Sequence, residues 1–298
     1  MGFDPRDSYP DRDRGPAPSG GGFSKRLLIA AIIALVGLFL YWNQSQVNPI
    51  TGEKQHVAIS PTDEVKLGLE SAPEMAREMG GEVAESDPRT REVKQMGAKL
   101  VTNTTASKGP WEFNFHLLAD DKTVNAFALP GGQVFITLGL LNKLQNEAQL
   151  AGVMGHEVGH VLERHSAQQM AKGQLGKILI VAVGAAASDS SQSGASQSIV
   201  IASMVNQMIQ LRYGRKDEMQ ADTWGLKLME EIGYDPYQMV TVMKILKEAG
   251  GGGGNMPSIF QTHPNPDLRI KLINEYLKLN PPKAGLTDGR PLHDGVPE

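Results

Sequence analysis

The sequence contains no cysteine. That excludes disulfides, thiolate metal sites, a cysteine nucleophile and a lipid-modified cysteine anchor, and it leaves the redox compartment open. It also lacks a strong charge of one sign. With 29 basic and 33 acidic residues the formal net charge is −4, which gives no footing for a nucleic-acid partner. Internal repeats are absent. The longest apolar run, Leu27 to Trp42, is sixteen residues, short of the ~20 of a full membrane span. Within 298 residues of ordinary apolar content there is still room for one large domain or two small ones.

What is present centres on His156-Glu157-Val158-Gly159-His160, an H-E-x-x-H motif. Apolar residues at 150, 151, 154, 158, 161 and 162 give helical spacing over the segment Asn146 to Met170, with Asn146 as N-cap and Gln149 three residues on. On a helix, His156 and His160 are i and i+4 and project from one face, so two imidazoles can meet one zinc ion. Glu157 lies one residue round, within reach of a water on that ion without being a ligand, the place of a general base in a zinc peptidase. Gly152, Gly155 and Gly159 each cost a helix about 1 kcal/mol against Ala, which points to close packing or a functional demand.

Along the chain, residues 1–24 are rich in Pro, Gly, Asp and Arg and are expected to be disordered. Lys25-Arg26 then precede the apolar run, which ends in Tyr41-Trp42, a pair suited to a membrane interface. No A-x-A-like cleavage site follows, so 25–42 reads as an uncleaved transmembrane anchor. The positive-inside rule puts residues 1–26 in the cytoplasm and the rest on the periplasmic or extracytoplasmic side of an inner membrane. Residues 43–60 read as a linker, 61–280 as the catalytic domain and 281–298 as a C-terminal tail. Inside the domain, helices are expected at about 62–79 and 88–104, the second opened by Asp87-Pro88. Short strands are expected at Glu112–Ala119, Asn125–Leu129 and Gln133–Thr137, with Pro130-Gly131-Gly132 as the turn between the last two. Residues 174–187 suit a buried core helix, and Ser188 to Ser198 a Ser-rich loop.

H-E-x-x-H supplies two ligands, and catalytic zinc usually takes three from the protein. A third histidine at metzincin spacing is missing: position 163 is Glu, 166 is Ser, and His165 falls one residue early. A glutamate from a second helix remains. The segment Arg215 to Gly233 carries Glu218 and Asp222 at i and i+4. Glu218 can ligate zinc, and Asp222 can accept the second N–H of a zinc histidine.

H-E-x-x-H with E-x-x-x-D, together with Asn125-Ala126-Phe127-Ala128-Leu129-Pro130-Gly131-Gly132 and Thr262-His263-Pro264 through Arg269, resembles the gluzincin metallopeptidases of the BepA, HtpX and Oma type, a family that includes the CAAX prenyl endopeptidases. The resemblance covers about residues 60–280. It departs from BepA in having no TPR array after residue 280, and from HtpX in having a single N-terminal anchor. It implies an α+β fold: a mainly helical zincin-like domain with a small sheet whose edge strand lines the cleft, preceded by one transmembrane helix. It further implies one Zn²⁺ per chain on His156, His160 and Glu218, Glu157 as general base, and Asp222 behind a histidine. Asn125, Ala126, Phe127 and Ala128 would align a protein or peptide substrate by main-chain hydrogen bonds. His263, just after the Gly250–Gly254 run, would act either as a fourth ligand or as a stabiliser of the transition state. His56, His116, His165 and His293 have no motif partner and are read as structural. The expected function is membrane-anchored zinc endopeptidase activity in envelope protein quality control. The rival is a non-hydrolytic assembly factor that keeps the zinc fold, and an intact Glu157 speaks against it.

Overall fold

The fold is built around one helix that has no solvent face. In the computed structural model, which describes residues 21–187, 208, 211–249 and 257–292, every residue from Ala148 to Leu162 is buried. A helix apolar all round belongs in a core. Here the core helix also carries His156, Glu157 and His160 into the interior, where each must find partners. Most of the N-terminal tail, the Ser188–Ser198 stretch and the Gly250–Gly254 run lie outside the described residues.

The order of elements is α1 (Gly21–Asn43), β1 (Ser45–Val47), β2 (Lys54–His56), α2 (Pro61–Glu78), α3 (Pro88–Thr102), β3 (Asn114–Leu118), β4 (Ala126–Ala128), β5 (Gln133–Thr137) and α4 (Leu138–Leu141). The core helix α5 (Glu147–Leu162) follows, then α6 (His165–Ala187), α7 (Arg215–Glu231), α8 (Gln238–Ala249), α9 (Ile259–Thr262) and α10 (Pro266–Leu279). Local signals account for the starts. Ser60 and Asp63 form a capping box for α2, Asp87 caps α3 ahead of Pro88, and the Asn146 side chain accepts from the Gln149 amide at the head of α5. Gln149 does not complete that box; its amide oxygen accepts from the Gln145 N–H instead.

The three-stranded sheet has the order β3-β5-β4, with β3 parallel and β4 antiparallel to β5. The expected strand around Asn125–Leu129 is therefore an edge. Pro130-Gly131-Gly132 turns the chain, with Gly131 and Gly132 at φ 82° and 111°, values that glycine adopts without a Cβ penalty. An added Cβ on Gly131 would also meet the Val65 Cα at 2.4 Å. The main core packs α3, α5, α7 and α8 with one face of the sheet, around Leu100, Ile136, Leu150, Met154 and Met229. A smaller cluster of Met75, Leu118, Leu129 and Phe135 joins α2 to the sheet.

The helical segment expected to run from Asn146 to Met170 is broken. Arg164 adopts φ 58°, ending α5 at Leu162 and restarting the chain as α6 at His165. The break is stabilised by burial of the Arg164 guanidinium, which donates from Nε to Glu64 Oε1 at 2.7 Å, from Nη2 to the Ile59 carbonyl at 2.8 Å and from Nη1 to Gln46 Oε1 at 3.0 Å. Burial pushes the Glu64 carboxyl up, and Arg164 and the Trp111 indole N–H pull against it. The stretch expected as a linker, 43–60, holds an antiparallel hairpin, β1 with β2. From it Asn48 donates to the Leu162 carbonyl at 2.7 Å and Gln55 to the Glu163 carbonyl at 3.0 Å. Those are carbonyls that the end of a helix leaves unpaired. At the other end of α5 the expected C-terminal tail supplies acceptors: Glu147 N–H donates to the Arg290 carbonyl and Ala148 N–H to that of Asp288, both at 3.0 Å. The core helix is thus clamped at both ends by segments far away in sequence.

α1 contains the stretch expected to be a transmembrane anchor and packs along α6, Gly37 against Ile178. Among the described residues no helix is long and apolar enough to cross a membrane. The stretch 174–187, expected to be a buried core helix, is helical. Its described side chains leave the core, with Gln174, Lys177 and Leu179 exposed, and those of 180–187 lie outside the described residues.

α5 and α7 cross at backbone contact. A Cβ on Gly155 would lie 3.3 Å from the Gly225 Cα, and one on Gly159 would lie 2.8 Å from both the Ala221 carbonyl oxygen and the Trp224 Cβ. At Gly152 the same atom would meet flexible methionine ends at ordinary contact distance, the Met229 sulfur at 3.4 Å and the Met239 sulfur at 3.5 Å. Gly152→Ala should therefore gain up to about 1 kcal/mol of helix propensity. Gly159→Ala should lose about 1–3 kcal/mol to overpacking. Thermal unfolding of the two variants should move in opposite directions; a Gly159→Ala protein as stable as Gly152→Ala would mean that the crossing has slack.

Candidate metal centre

The close crossing lets a short acidic side chain on α7 reach the histidines of α5. His156, His160, Glu218 and His263 each offer one ligand atom, and the four atoms lie within 4.8 Å of one another. All four residues are buried, with His160, Glu218 and His263 at 1% exposure. His156 Nε2 is 3.1 Å from His160 Nε2 and 3.6 Å from Glu218 Oε2, and His160 Nε2 is 3.6 Å from Glu218 Oε1. His263 enters from the loop between α9 and α10, its Nδ1 3.3 Å from His156 Nε2 and 3.1 Å from Glu218 Oε1. Four donors held at about 2.0–2.1 Å by one tetrahedral zinc lie about 3.3–3.4 Å apart, so the observed separations fit such an ion.

Charge gives a second test of fit. Glu157, Glu218 and Asp222 bring three carboxylates into this buried volume, against one guanidinium, Arg269. Buried charge must be compensated, and a divalent cation closes the difference. Orphaned atoms give a third: Glu157 Oε2 and His263 Nε2 are buried without hydrogen-bond partners. The residues present therefore fit zinc.

The supporting atoms are placed with equal care. His156 Nδ1 lies 2.8 Å from Asp222 Oδ1, the partner expected from the i, i+4 spacing of Glu218 and Asp222. Arg269 of α10 forks onto the same group, 2.8 Å from Nε to Asp222 Oδ2 and 2.5 Å from Nη2 to Oδ1, and its Nη1 lies 2.9 Å from Glu218 Oε2. Burial alone would raise both carboxyls. Arg269 outweighs it at Asp222 and holds that group well below the usual range; at Glu218, His263 and then Arg269 outweigh it and lower the carboxyl. The negative field reaches His263, where burial disfavours the proton but Glu218 and Glu157 lift the imidazole above its ordinary value. His160 is pushed the other way, by burial and then by His156. Its second nitrogen, Nδ1, is 2.9 Å from Nδ1 of His165, and the Tyr213 ring sits 3.9 Å from its own, centroid to centroid. Burial pushes His165 down to about 4.

The expected substrate strand lies at the sheet edge, packed beside α5. Asn125 and Leu129 bond back to β5 through Thr137 and Gln133, so by antiparallel alternation Ala126 and Ala128 turn their backbone groups away from it. The Asn125 amide oxygen is buried and unpaired. Of the residues read as structural, His56 and His116 stay away from the centre, stacked on Tyr41 and Phe135. His165 does not stay away. Arg269 and Tyr213 were missed as well. The available signals were indirect: a second histidine close after the motif, and an arginine six residues beyond His263.

An H-E-x-x-H helix whose histidines converge with a glutamate from a neighbouring helix defines a zinc metallopeptidase. Residues 87–277, well over half of the chain, match peptidase family M48, and the chain belongs to that family. It is 29% identical over 251 residues to the mitochondrial metalloendopeptidase OMA1 of Schizosaccharomyces pombe, covering 84% of this chain and 71% of that protein. It is 31% identical over 195 residues to the β-barrel assembly-enhancing protease of Escherichia coli K12, 61% of this chain but 37% of that one. It is 34% identical over 167 residues to OMA1 of Arabidopsis thaliana, covering 55% and 31%.

Proposed function

We propose that the chain is a membrane-anchored endopeptidase that cleaves unfolded or unassembled proteins, with His156, His160 and Glu218 holding zinc, Glu157 as general base and Asp222 orienting His156. The observation that carries the reading is Glu157: a carboxylate buried at 1% exposure beside the donor cluster, with one oxygen lacking any partner. A zinc-binding scaffold needs the donors but has no use for that group. The names of the relatives, a mitochondrial metalloendopeptidase and a protease of β-barrel assembly, support protein substrates and a role in quality control.

Zinc, when bound, supplies Lewis-acid polarisation of the scissile carbonyl and makes water a competent nucleophile near neutral pH. Glu157 takes the proton of the attacking water and returns it to the leaving amine nitrogen. Asp222, pinned by Arg269, accepts from His156 Nδ1 and keeps its Nε2 free to ligate. The outward backbone groups of Ala126 and Ala128 pair with the substrate main chain, with Asn125 and Phe127 flanking them.

In this reading His263 is a fourth donor that closes the site. Its Nδ1 lies among the ligand atoms, while its Nε2 is 3.6 Å from Glu157 Oε1. The segment before it is tied down beside the edge strand, where Ile259 N–H and Ser258 Oγ both donate to the Val124 carbonyl. Catalysis then requires the α9 segment to move away.

The anchor reading rests on α1, where Leu28, Leu35, Phe39 and Trp42 are 61–71% exposed and Lys25 precedes the apolar run. Sixteen helical residues reach about 24 Å. The shortfall from a ~30 Å hydrocarbon core is small enough for local thinning and a snorkelling lysine to absorb.

Three measurements test these assignments. Glu157→Gln should retain zinc and lose casein cleavage by ~10²–10⁴-fold, whereas Glu218→Ala should lose zinc. Wild-type turnover in a zinc-loaded Glu157→Gln protein would sink the mechanism. His263→Ala, compared with wild type at equal zinc loading, should cleave casein faster; a fall of ~10²–10³-fold would instead mark a group that stabilises the transition state. The full chain should stay with membranes through a high-salt wash, and a chain lacking residues 21–43 should be released.

A further inference from the structure

The metal-facing side of His160 is set by what lies behind it, and no carboxylate lies there. We infer that His165 is a positioning residue for the metal centre, the middle of a hydrogen-bond chain that fixes His160 in the tautomer able to bind the ion. The inference rests on the reading of His160 as a ligand.

The chain can be followed atom by atom. The Trp224 indole N–H, which can only donate, gives its proton to Glu163 Oε1 at 2.7 Å. The other oxygen of Glu163 accepts from Gln220 Nε2 at 3.5 Å, which orients that amide with its carbonyl oxygen toward His165. His165 Nε2 is 3.3 Å from Gln220 Oε1 and 3.9 Å from Asp217 Oδ1. Two oxygens face Nε2 and no donor is directed at it, so Nε2 carries the proton. A neutral imidazole protonated there has a lone pair on Nδ1. That nitrogen is 2.9 Å from His160 Nδ1, and one proton must lie between the two. It belongs to His160, which leaves His160 Nε2 bare and facing His156 and Glu218.

The two histidines of the motif are thus held by different chemistry. His156 is backed by a carboxylate that carries full charge, and His160 by a neutral ring. The opposite tautomer of His165 would place two donors, or two lone pairs, nose to nose at 2.9 Å. The position of His165 at 1% exposure, edge-on to His160 at 70°, leaves the ring no water to turn to.

The test begins with the native full chain labelled with ¹⁵N-histidine and freed of metal. Long-range ¹H–¹⁵N spectra should show His165 as the Nε2–H tautomer and His160 as the Nδ1–H tautomer; the reverse assignment, or a charged His165, would overturn the inference without any variant having to fold. Zinc affinity, measured by chelator competition, should fall 10–100-fold in His165→Ala. His165→Gln should recover most of that loss, because its amide oxygen can accept from His160 while its NH₂ donates to Gln220. Wild-type affinity in His165→Ala, or an equal loss in both variants, would reduce His165 to a packing role. Unchanged affinity in His160→Ala would instead mean that the ligand assignment itself has failed, while the tautomers seen in the native chain would still stand.

Discussion

The close approach of two backbones sets the rest of the structure. α5 and α7 meet at Gly155, Gly159 and Gly225, where the missing Cβ atoms let one backbone approach the other. A glutamate has a short reach, and only at this separation does Glu218 come within 3.6 Å of both histidines of the motif. The three glycines give up helix propensity for that distance. The loss is offset by burying α5 on all sides and by capping both of its ends from distant parts of the chain.

The same approach creates an electrostatic problem, because it concentrates acids where water is absent. Three carboxylates and four imidazoles share a volume in which an unpaired charge is costly. Arg269 meets part of it by touching Glu218, Asp222 and His156 at once. The remainder is what makes the site selective for a cation. His165 extends the arrangement outward with a neutral ring, so that in the inference drawn above one ligand is oriented without a carboxylate in direct contact with it.

Much of this was legible in the sequence, for local reasons. Asn146, Asp87 and Pro88 announce helix starts through side chains that act within one turn, and Pro130-Gly131-Gly132 announces a turn through positive φ. H-E-x-x-H and the Glu218–Asp222 pair each place two groups on one helical face, so their convergence could be read from spacing. What could not be read depends on partners far away in sequence. Arg164 ends α5 because Glu64, a hundred positions earlier, receives its charge. The 43–60 stretch, a linker by composition, folds because Asn48 and Gln55 find the carbonyls of Leu162 and Glu163. His165 looked unpartnered because its partner is the motif itself, one helix break upstream, and helical spacing misplaces a ring that sits beyond such a break.

The clamps on α5 have a consequence for synthesis. A ribosome releases His156 and His160 long before Glu218, His263 and Arg269 exist, and the residues that cap the head of the helix, Asp288 and Arg290, come later still. The nascent chain can hold the motif but not the centre. A peptidase whose core helix is capped by residues made so long after its motif cannot turn on its own chain before they have emerged, and its birth is timed by those distant caps and not by the appearance of its best-known five residues.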